Sequence, residues 1–564
     1  MSSYQKCLYS LFAILFFSGL LKAQHLSNQQ KEKINSIFNS YKSAPGCAVG
    51  IFKKGEIIYS NGYGLSNIGS QEFVSDRTVF DIASVSKQFT AACIFLLEAE
   101  GKLSLEDEIQ KYLPSIPKYN GQTISVKHLL NHSSGLRSYL KLLFAKGISW
   151  DSKFTNKDGL ELMAEQRGSN FEPGSKFSYS NTGYMLLASI IEIASGKPYP
   201  EYAQEKLFNP LGMTNTYIGQ TKRKKEKAIG YTETGEGYQA AHYDNNSVIG
   251  DGGVYSNILD FFKWSENFKT GKVGGELLIK KMTTSGYLKN NRPTNYGGGL
   301  FLGDYQNIPG LYTIGHSGEW GSFRSLFFKF VEQDIAFVLL SNNANTNVWS
   351  LLNQLVGSVM QMEVEEARNS LLTNETKKTK EASAVVIDKK DLSTFLGHYF
   401  NPVEGNTRTI GIENDTLVYQ RSNGVGTKLI PMEKNSFHFM DMPHVTVKFD
   451  MGSQPCSLSL DINGRTSFQF NKYIPLEYDS KEIEQFTGNY YSDELDTTYQ
   501  IKSKGKQLLA LIKDSDTITL NPVMKNIFNE VHFGYLKFET NKKGRINGFT
   551  VNDELINNIH FERI

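Results

Sequence analysis

The chain has 564 residues, more than one ordinary domain needs, so two to four domains are expected. Apolar residues make up 40% and charged residues 21%, the balance of a soluble globular protein with sizeable cores. The formal net charge is only +2, which makes the chain a poor candidate for nucleic-acid binding, where a basic footprint is demanded.

The first segment reads as a targeting signal, residues 1–23. Lys6 supplies a basic start, Leu8 to Leu21 is an uncharged and mostly apolar run, and Leu21-Lys22-Ala23 offers a small residue for cleavage before Gln24. The run is short for a bilayer span, which needs roughly 20 residues; an uncleaved N-terminal anchor is the second reading. Cleavage removes Lys6, Lys22 and no acid, leaving a neutral mature chain that is exported to the periplasm or secreted. The dense basic cluster Lys222-Arg223-Lys224-Lys225 reads as a solvated loop, with contact to an anionic cell-envelope polymer as the alternative. Of the four cysteines Cys7 leaves with the signal. Cys47, Cys93 and Cys456 form neither a disulfide framework nor a zinc pattern, so no metal and no cofactor are expected.

Residues 24–44 read as a polar-faced helix. Gly46 to Leu65 alternates apolar and polar around Lys53-Lys54-Gly55, a hairpin signal. Then comes Phe80-Asp81-Ile82-Ala83-Ser84-Val85-Ser86-Lys87-Gln88-Phe89. From Ser84 the apolar positions Phe89, Ala92, Cys93, Leu96 and Leu97 recur at helical spacing, and Gly101 can end the helix. Positions i and i+3 share a helix face, so Ser84 and Lys87 stand together in its first turn. Ser104-Leu105-Glu106-Asp107 looks like a capped helix start, and Ser125 caps a short helix through Leu130. Residues 150–210 are mainly helical, broken at Glu172-Pro173-Gly174. Gly252-Gly253 leads into a helix through Phe262 and Trp264. Three antiparallel strands follow at Leu311–Ser317, Phe323–Val331 and Ile335–Leu340, then a helix from Asn347 to Met360. Gly297-Gly298-Gly299 lacks the Gly-Lys-Ser/Thr of a phosphate loop and reads as a flexible turn.

Residues 24–362 therefore predict an α+β domain, one antiparallel sheet built from both ends of the segment with helices packed on it. Residues 363–390 read as a linker. Beyond it lies an internal repeat. Leu392, Phe395, Gly397 and Tyr399 match Ile483, Phe486, Gly488 and Tyr490, and Pro431, Lys434, Asn435 and Phe437 match Pro522, Lys525, Asn526 and Phe528 at the same offset. Gly464-Arg465 then matches Gly544-Arg545 after a shorter interval. Two related antiparallel β-units are expected, residues 391–476 and 477–564, as two small barrels or two halves of one.

Ser-x-x-Lys alone is weak evidence, since Ser3–Lys6, Ser115–Lys118 and Ser503–Lys506 share the spacing. Tyr243–Asn245 and Tyr305–Asn307 likewise compete with Tyr179–Asn181, and His532–Gly534 with His316–Gly318. The signal is the ordered set: Ser84/Lys87 at a helix start, Tyr179/Asn181 in a loop, and His316-Ser317-Gly318 on a strand. These elements resemble the serine β-lactamase and penicillin-binding protein superfamily, nearest its class C β-lactamase-like branch with D-aminopeptidases, D,D-carboxypeptidases and esterases. Leu129-Leu130-Asn131-His132-Ser133-Ser134-Gly135-Leu136, Glu172-Pro173-Gly174 and Gly252-Gly253 with Asp260 extend the resemblance over roughly residues 30–360. The β-units resemble the lipocalin-like barrels appended to some D-aminopeptidase-like members.

The resemblance implies Ser84 as nucleophile, Lys87 and Tyr179 as proton-transfer groups with the principal base left open, and Asn181 as a substrate or lysine ligand. It implies an oxyanion hole from the N–H groups of Ser84 and of Glu319, the residue after the His-x-Gly turn. His316 departs from the usual lysine. Histidine is mostly neutral near pH 7, so recognition of a substrate carboxylate is in question. The expected activity is hydrolysis of a small ester or peptide-like amide through an acyl-enzyme. The alternatives are a true β-lactamase or D,D-carboxypeptidase, a non-hydrolytic binder of penicillin or peptidoglycan, and a carrier of an apolar ligand in the β-units. His128 and His132 read as structural.

Overall fold

The computed structural model describes residues 26–149, 152–219, 227–241, 247–375, 389–403, 405–421, 426–440, 445–462, 465–512, 517–530 and 534–564. The targeting signal and the basic cluster Lys222–Lys225 lie outside the described residues, as do His532 and Gly464.

Six antiparallel strands form the central sheet: β1 (Cys47–Lys53), β2 (Glu56–Tyr63), β3 (Phe301–Asp304), β4 (Tyr312–Trp320), β5 (Phe323–Phe330) and β6 (Ile335–Ser341). Their spatial order is β3-β4-β5-β6-β1-β2, so the two ends of the segment meet where β1 pairs with β6. The β1–β2 hairpin turns at Lys54 and Gly55, both at positive φ. β1 and β6 are buried on both faces, which explains their near-continuous apolar sequence. Cys47, Val49 and Ile51 meet one core together with α1 (Asn28–Ile37) and α7 (Val348–Val359). Ala48 and Phe52 meet the other, where α2 (Lys87–Ala99), α3 (Val126–Leu130), α4 (Tyr139–Lys146), α5 (Asn181–Ser195) and α6 (Ile258–Thr270) pack.

Three expectations are corrected. Ser104-Leu105-Glu106-Asp107 starts no helix: the Asp107 carboxylate accepts from the Ser104 N–H and closes a turn. The strand expected to stop at Ser317 continues to Trp320, so Gly318 and Glu319 lie within β4 and not beyond a turn. The segment read as a linker begins as a helix, α8 (Gln361–Glu375), because Val364 and Ala367 pack against the sheet's outer core.

Residues 397–473 and 488–563 each form a closed antiparallel barrel of eight strands, so the repeat encodes two barrels and not two halves. Both interiors are filled with aromatic rings. Phe395 lies 4.6 Å from Phe449 in the first, and Phe486 lies 4.8 Å from Phe538 in the second. The repeat-matched tyrosines make the same bond: Tyr399 donates to the Phe395 carbonyl and Tyr490 to that of Phe486, each at 2.8 Å. These rings occupy the interior where an apolar cargo would have to sit. The second barrel shares one continuous core with the helices α2–α6, whereas the first packs on the second through Phe400, Val523 and Tyr535.

Candidate active site

Ser84 occupies a 3₁₀ turn, Ala83–Ser86, that runs directly into α2. The turn is entered through Ala83 at φ +48°, an uncommon conformation for a residue with a Cβ. Asp81 holds it there, its carboxylate accepting the Ala83 N–H at 2.8 Å. Burial raises the Asp81 carboxyl to about 6, against the opposing effects of that bond and of Lys227.

Lys87 opens α2 and is fully buried. Its Nζ lies 3.0 Å from Ser84 Oγ, 2.8 Å from Asn181 Oδ1 and 2.7 Å from the Asp251 carbonyl oxygen. The last two are pure acceptors and occupy two N–H groups. A neutral amine in this cage keeps its lone pair for the third direction, where the Ser84 hydroxyl stands. Burial lowers Lys87 from 10.5 to about 8, partly countered by the Asp251 carboxylate. Gly299 explains how the cage closes. At φ +75° it packs on the start of α2, and a Cβ there would fall 2.4 Å from the Gln88 nitrogen. The glycine run is thus a packed wall behind Lys87, not a flexible turn.

Tyr179 covers the site from the loop before α5. Its ring lies under Lys87 Nζ at 5.0 Å, and its buried hydroxyl faces Ser84 without a well-formed hydrogen bond. Burial pushes the phenol well above its ordinary value, with Ser84 opposing, so it rests protonated. His132, read as structural from sequence, lies 4.3 Å from the Tyr179 ring and accepts the Ser180 N–H at Nδ1. It fixes the loop that carries Tyr179. His128 closes a capping box with Ser125 at the start of α3. Asp260 sits away from the lysine, binding the Asn215 N–H and the Thr216 hydroxyl.

His316 is buried in β4, walled by Phe301, Tyr179 and Tyr296 with ring centroids 5.1–5.9 Å away. Its Nδ1–H donates to the Ser317 carbonyl, which leaves Nε2 as a buried, unpartnered acceptor. Burial, then the charge of Lys87, lowers it to about 3. The ring is neutral throughout the physiological range. Gly318 lets β4 approach the Ser84 turn: a Cβ there would meet Ser325 Oγ at 2.3 Å and the Ile82 carbonyl at 2.4 Å. Ser325 Oγ donates to that same carbonyl at 2.6 Å and locks the contact. The next backbone N–H is that of Glu319, whose exposed carboxylate pairs with Arg324 at 2.9 Å.

The structure thus brings Ser84, Lys87, Tyr179, Asn181 and His316 into one site, with Gly318 and Glu319 along its edge. Sequence reasoning missed Asp251 and Tyr139. Tyr139 donates to the Asp251 carboxylate at 2.9 Å, and that carboxylate feels Lys87. Asp251 stands directly before Gly252-Gly253, the available signal for it. No cluster of metal-ligating side chains occurs among the described residues.

A serine, a buried lysine and a tyrosine meet on this α+β scaffold, and the relatives place the chain among serine hydrolases. Residues 34–359, more than half of the chain, match the family model Beta-lactamase, and the chain belongs to that family. It is 29% identical over 422 residues to penicillin-binding protein 4* of Bacillus subtilis (strain 168), covering 71% of this chain and 88% of the relative. It is 26% identical over 321 residues to a D-aminopeptidase of Cereibacter sphaeroides, covering 56% of this chain and 60% of that relative. The octameric penicillin-binding protein homologue from Pyrococcus abyssi shares the fold, with a TM-score of 0.52 at 24% identity over 78% of this chain and 99% of that one.

Proposed function

We propose that this protein is an exported acyl hydrolase that opens a small ester or a peptide-like amide through an acyl-enzyme on Ser84. The carrying observation is the cage around Lys87, in which two acceptors take two N–H groups and the remaining direction meets the Ser84 hydroxyl. Lys87 is the base: it takes the hydroxyl proton as Ser84 Oγ bonds to the substrate carbonyl carbon. The backbone N–H groups of Ser84 and Glu319 receive the oxyanion, each worth about 3–4 kcal/mol in such sites. Tyr179, a neutral phenol at rest, gives its proton to the departing oxygen or nitrogen and recovers one from Lys87. Water then attacks the acyl carbonyl, passes its proton back through the same pair and releases Ser84.

His316 sets the preference. A neutral ring with an open Nε2 accepts an N–H and offers no charge to a carboxylate. This favours esters, or amides bearing a free amine, over β-lactams and carboxylate-terminated peptides, and the D-aminopeptidase relatives accord with it. Export rests on the reading of residues 1–23. A turnover panel of chromogenic esters, D-amino-acid amides and a cephalosporin, with Ser84→Ala as control, tests the proposal. Turnover of esters or amine-bearing amides, lost in Ser84→Ala, is expected. Labelling by penicillin without any turnover supports a binding protein instead.

A further inference from the structure

Within the contact between the second barrel and the catalytic domain lies a buried ion pair. Arg137 follows the His132–Leu136 stretch, and its side chain is 3% exposed. It pairs with Glu494 of the barrel, itself 8% exposed. The same guanidinium donates to the Asn557 and Asn558 carbonyls at 2.7 and 3.2 Å, both on the barrel's last inter-strand loop, and to Gln166 Oε1 at 3.1 Å. The loop grips the neighbouring backbone as well, since the Leu555 carbonyl accepts from the Ser138 N–H at 2.8 Å and from Asn170 Nδ2 at 2.9 Å. An arginine gives the same planar fork to carboxylate and carbonyls that no other side chain offers.

The clamped segment has two outlets, and both end on Lys87. The Thr182 hydroxyl donates to the Arg137 carbonyl at 2.7 Å, and Thr182 Oγ1 in turn accepts from the Tyr139 N–H at 2.8 Å. Thr182 adjoins Asn181, a ligand of Lys87. Tyr139, stacked on Phe154, donates its hydroxyl to the Asp251 carboxylate, and the Asp251 carbonyl is the second ligand of Lys87. We propose that Glu494, Arg137 and Tyr139 are positioning residues through which the second barrel holds the two ligands of the catalytic lysine, so that the barrel is a working part of the active site. This rests on Lys87 serving as the base of Ser84.

The groups facing Lys87 are Ser84, Asn181, the Asp251 carboxylate, the rings of Tyr179 and Tyr184, and the neutral His132 and His316. The one carboxyl among them is Asp251, whose charge raises the lysine; burial raises the Asp251 carboxyl above its ordinary value, and Lys87 and the Tyr139 hydroxyl oppose that rise. Loosening Tyr139 therefore protonates Asp251 more readily, and the lysine then loses its proton at lower pH.

The test uses the full chain and the rate at which a fluorophosphonate labels Ser84 from pH 5 to 10. Tyr139→Phe removes one hydroxyl and is expected to move the acid limb of that profile down by about half a pH unit or more. Glu494→Gln, across the domain boundary, is expected to move it the same way by a smaller amount. The double variant is expected to shift no further than Tyr139→Phe, as for two steps on one path. An unmoved limb in Tyr139→Phe overturns the inference. So does a Glu494→Gln variant that melts earlier yet keeps the wild-type limb, because the pair is then a clamp and nothing more. Wild type that takes no label at all defeats the hydrolase reading itself, a separate failure from an unmoved limb.

Discussion

Lys87 carries the most direct prediction. An ordinary lysine at 10.5 is neutral in about one molecule in three thousand at pH 7; lowered to about 8, it is neutral in about one in ten. The buried cage thus raises the fraction of neutral amine about 300-fold, a difference of about 3 kcal/mol between its two protonation states. Acylation of Ser84 should therefore climb about tenfold per pH unit below the limb and level off above pH 8. Lys87→Arg keeps the charge but cannot deprotonate, so the rate should fall about 10²- to 10⁴-fold and the limb should vanish. The assay is the second-order rate of ester acylation or fluorophosphonate labelling from pH 5 to 10. His316 titrates near 3 and the Tyr179 phenol far above its ordinary value, so neither intrudes in this window. A flat profile, a limb near 10, or full activity in Lys87→Arg refutes the reasoning.

Other changes have defined outcomes. Gly318→Ala should push β4 away from the Ile82–Ala83 turn and lower kcat about 10²- to 10³-fold with the circular dichroism spectrum kept. Arg137→Ala leaves Glu494 buried without its partner and should cost about 3–5 kcal/mol in urea denaturation. His316 has its folded pKa lowered, so its contribution to stability is complete above the unfolded value of 6.5 and is lost as pH falls below it. At pH 5 the loss is about 2 kcal/mol, and His316→Asn should narrow the gap in Tm between pH 7 and pH 5.

What could be read in advance follows from how local each signal is. The β1–β2 hairpin announces itself through Lys54-Gly55, and the barrels through a repeat whose Phe395/Tyr399 and Phe486/Tyr490 pairs make identical contacts. Ser84 and Lys87 share a helical face, so their proximity needs no tertiary information. Tyr179, Asn181 and His316 were accessible because their motifs occur in a fixed order. Tyr139, Asp251 and Glu494 were not. Each acts through hydrogen bonds or ion pairs to residues more than a hundred positions away, and no spacing encodes that. His132 was set aside because a lone histidine is more often structural. That reading holds in part, since it supports the Tyr179 loop and touches no reacting atom. Ser104 misled because its partner Asp107 closes a turn as readily as it caps a helix.

The account stands or falls on where the acyl group goes. Wild-type protein trapped with a fluorophosphonate, digested and mapped by mass spectrometry, should carry one adduct, on the peptide containing Ser84. Ser84→Ala should carry none, and Lys87→Arg should acquire it only slowly. An equal adduct on Ser84→Ala, or one mapped to another serine, contradicts the mechanism.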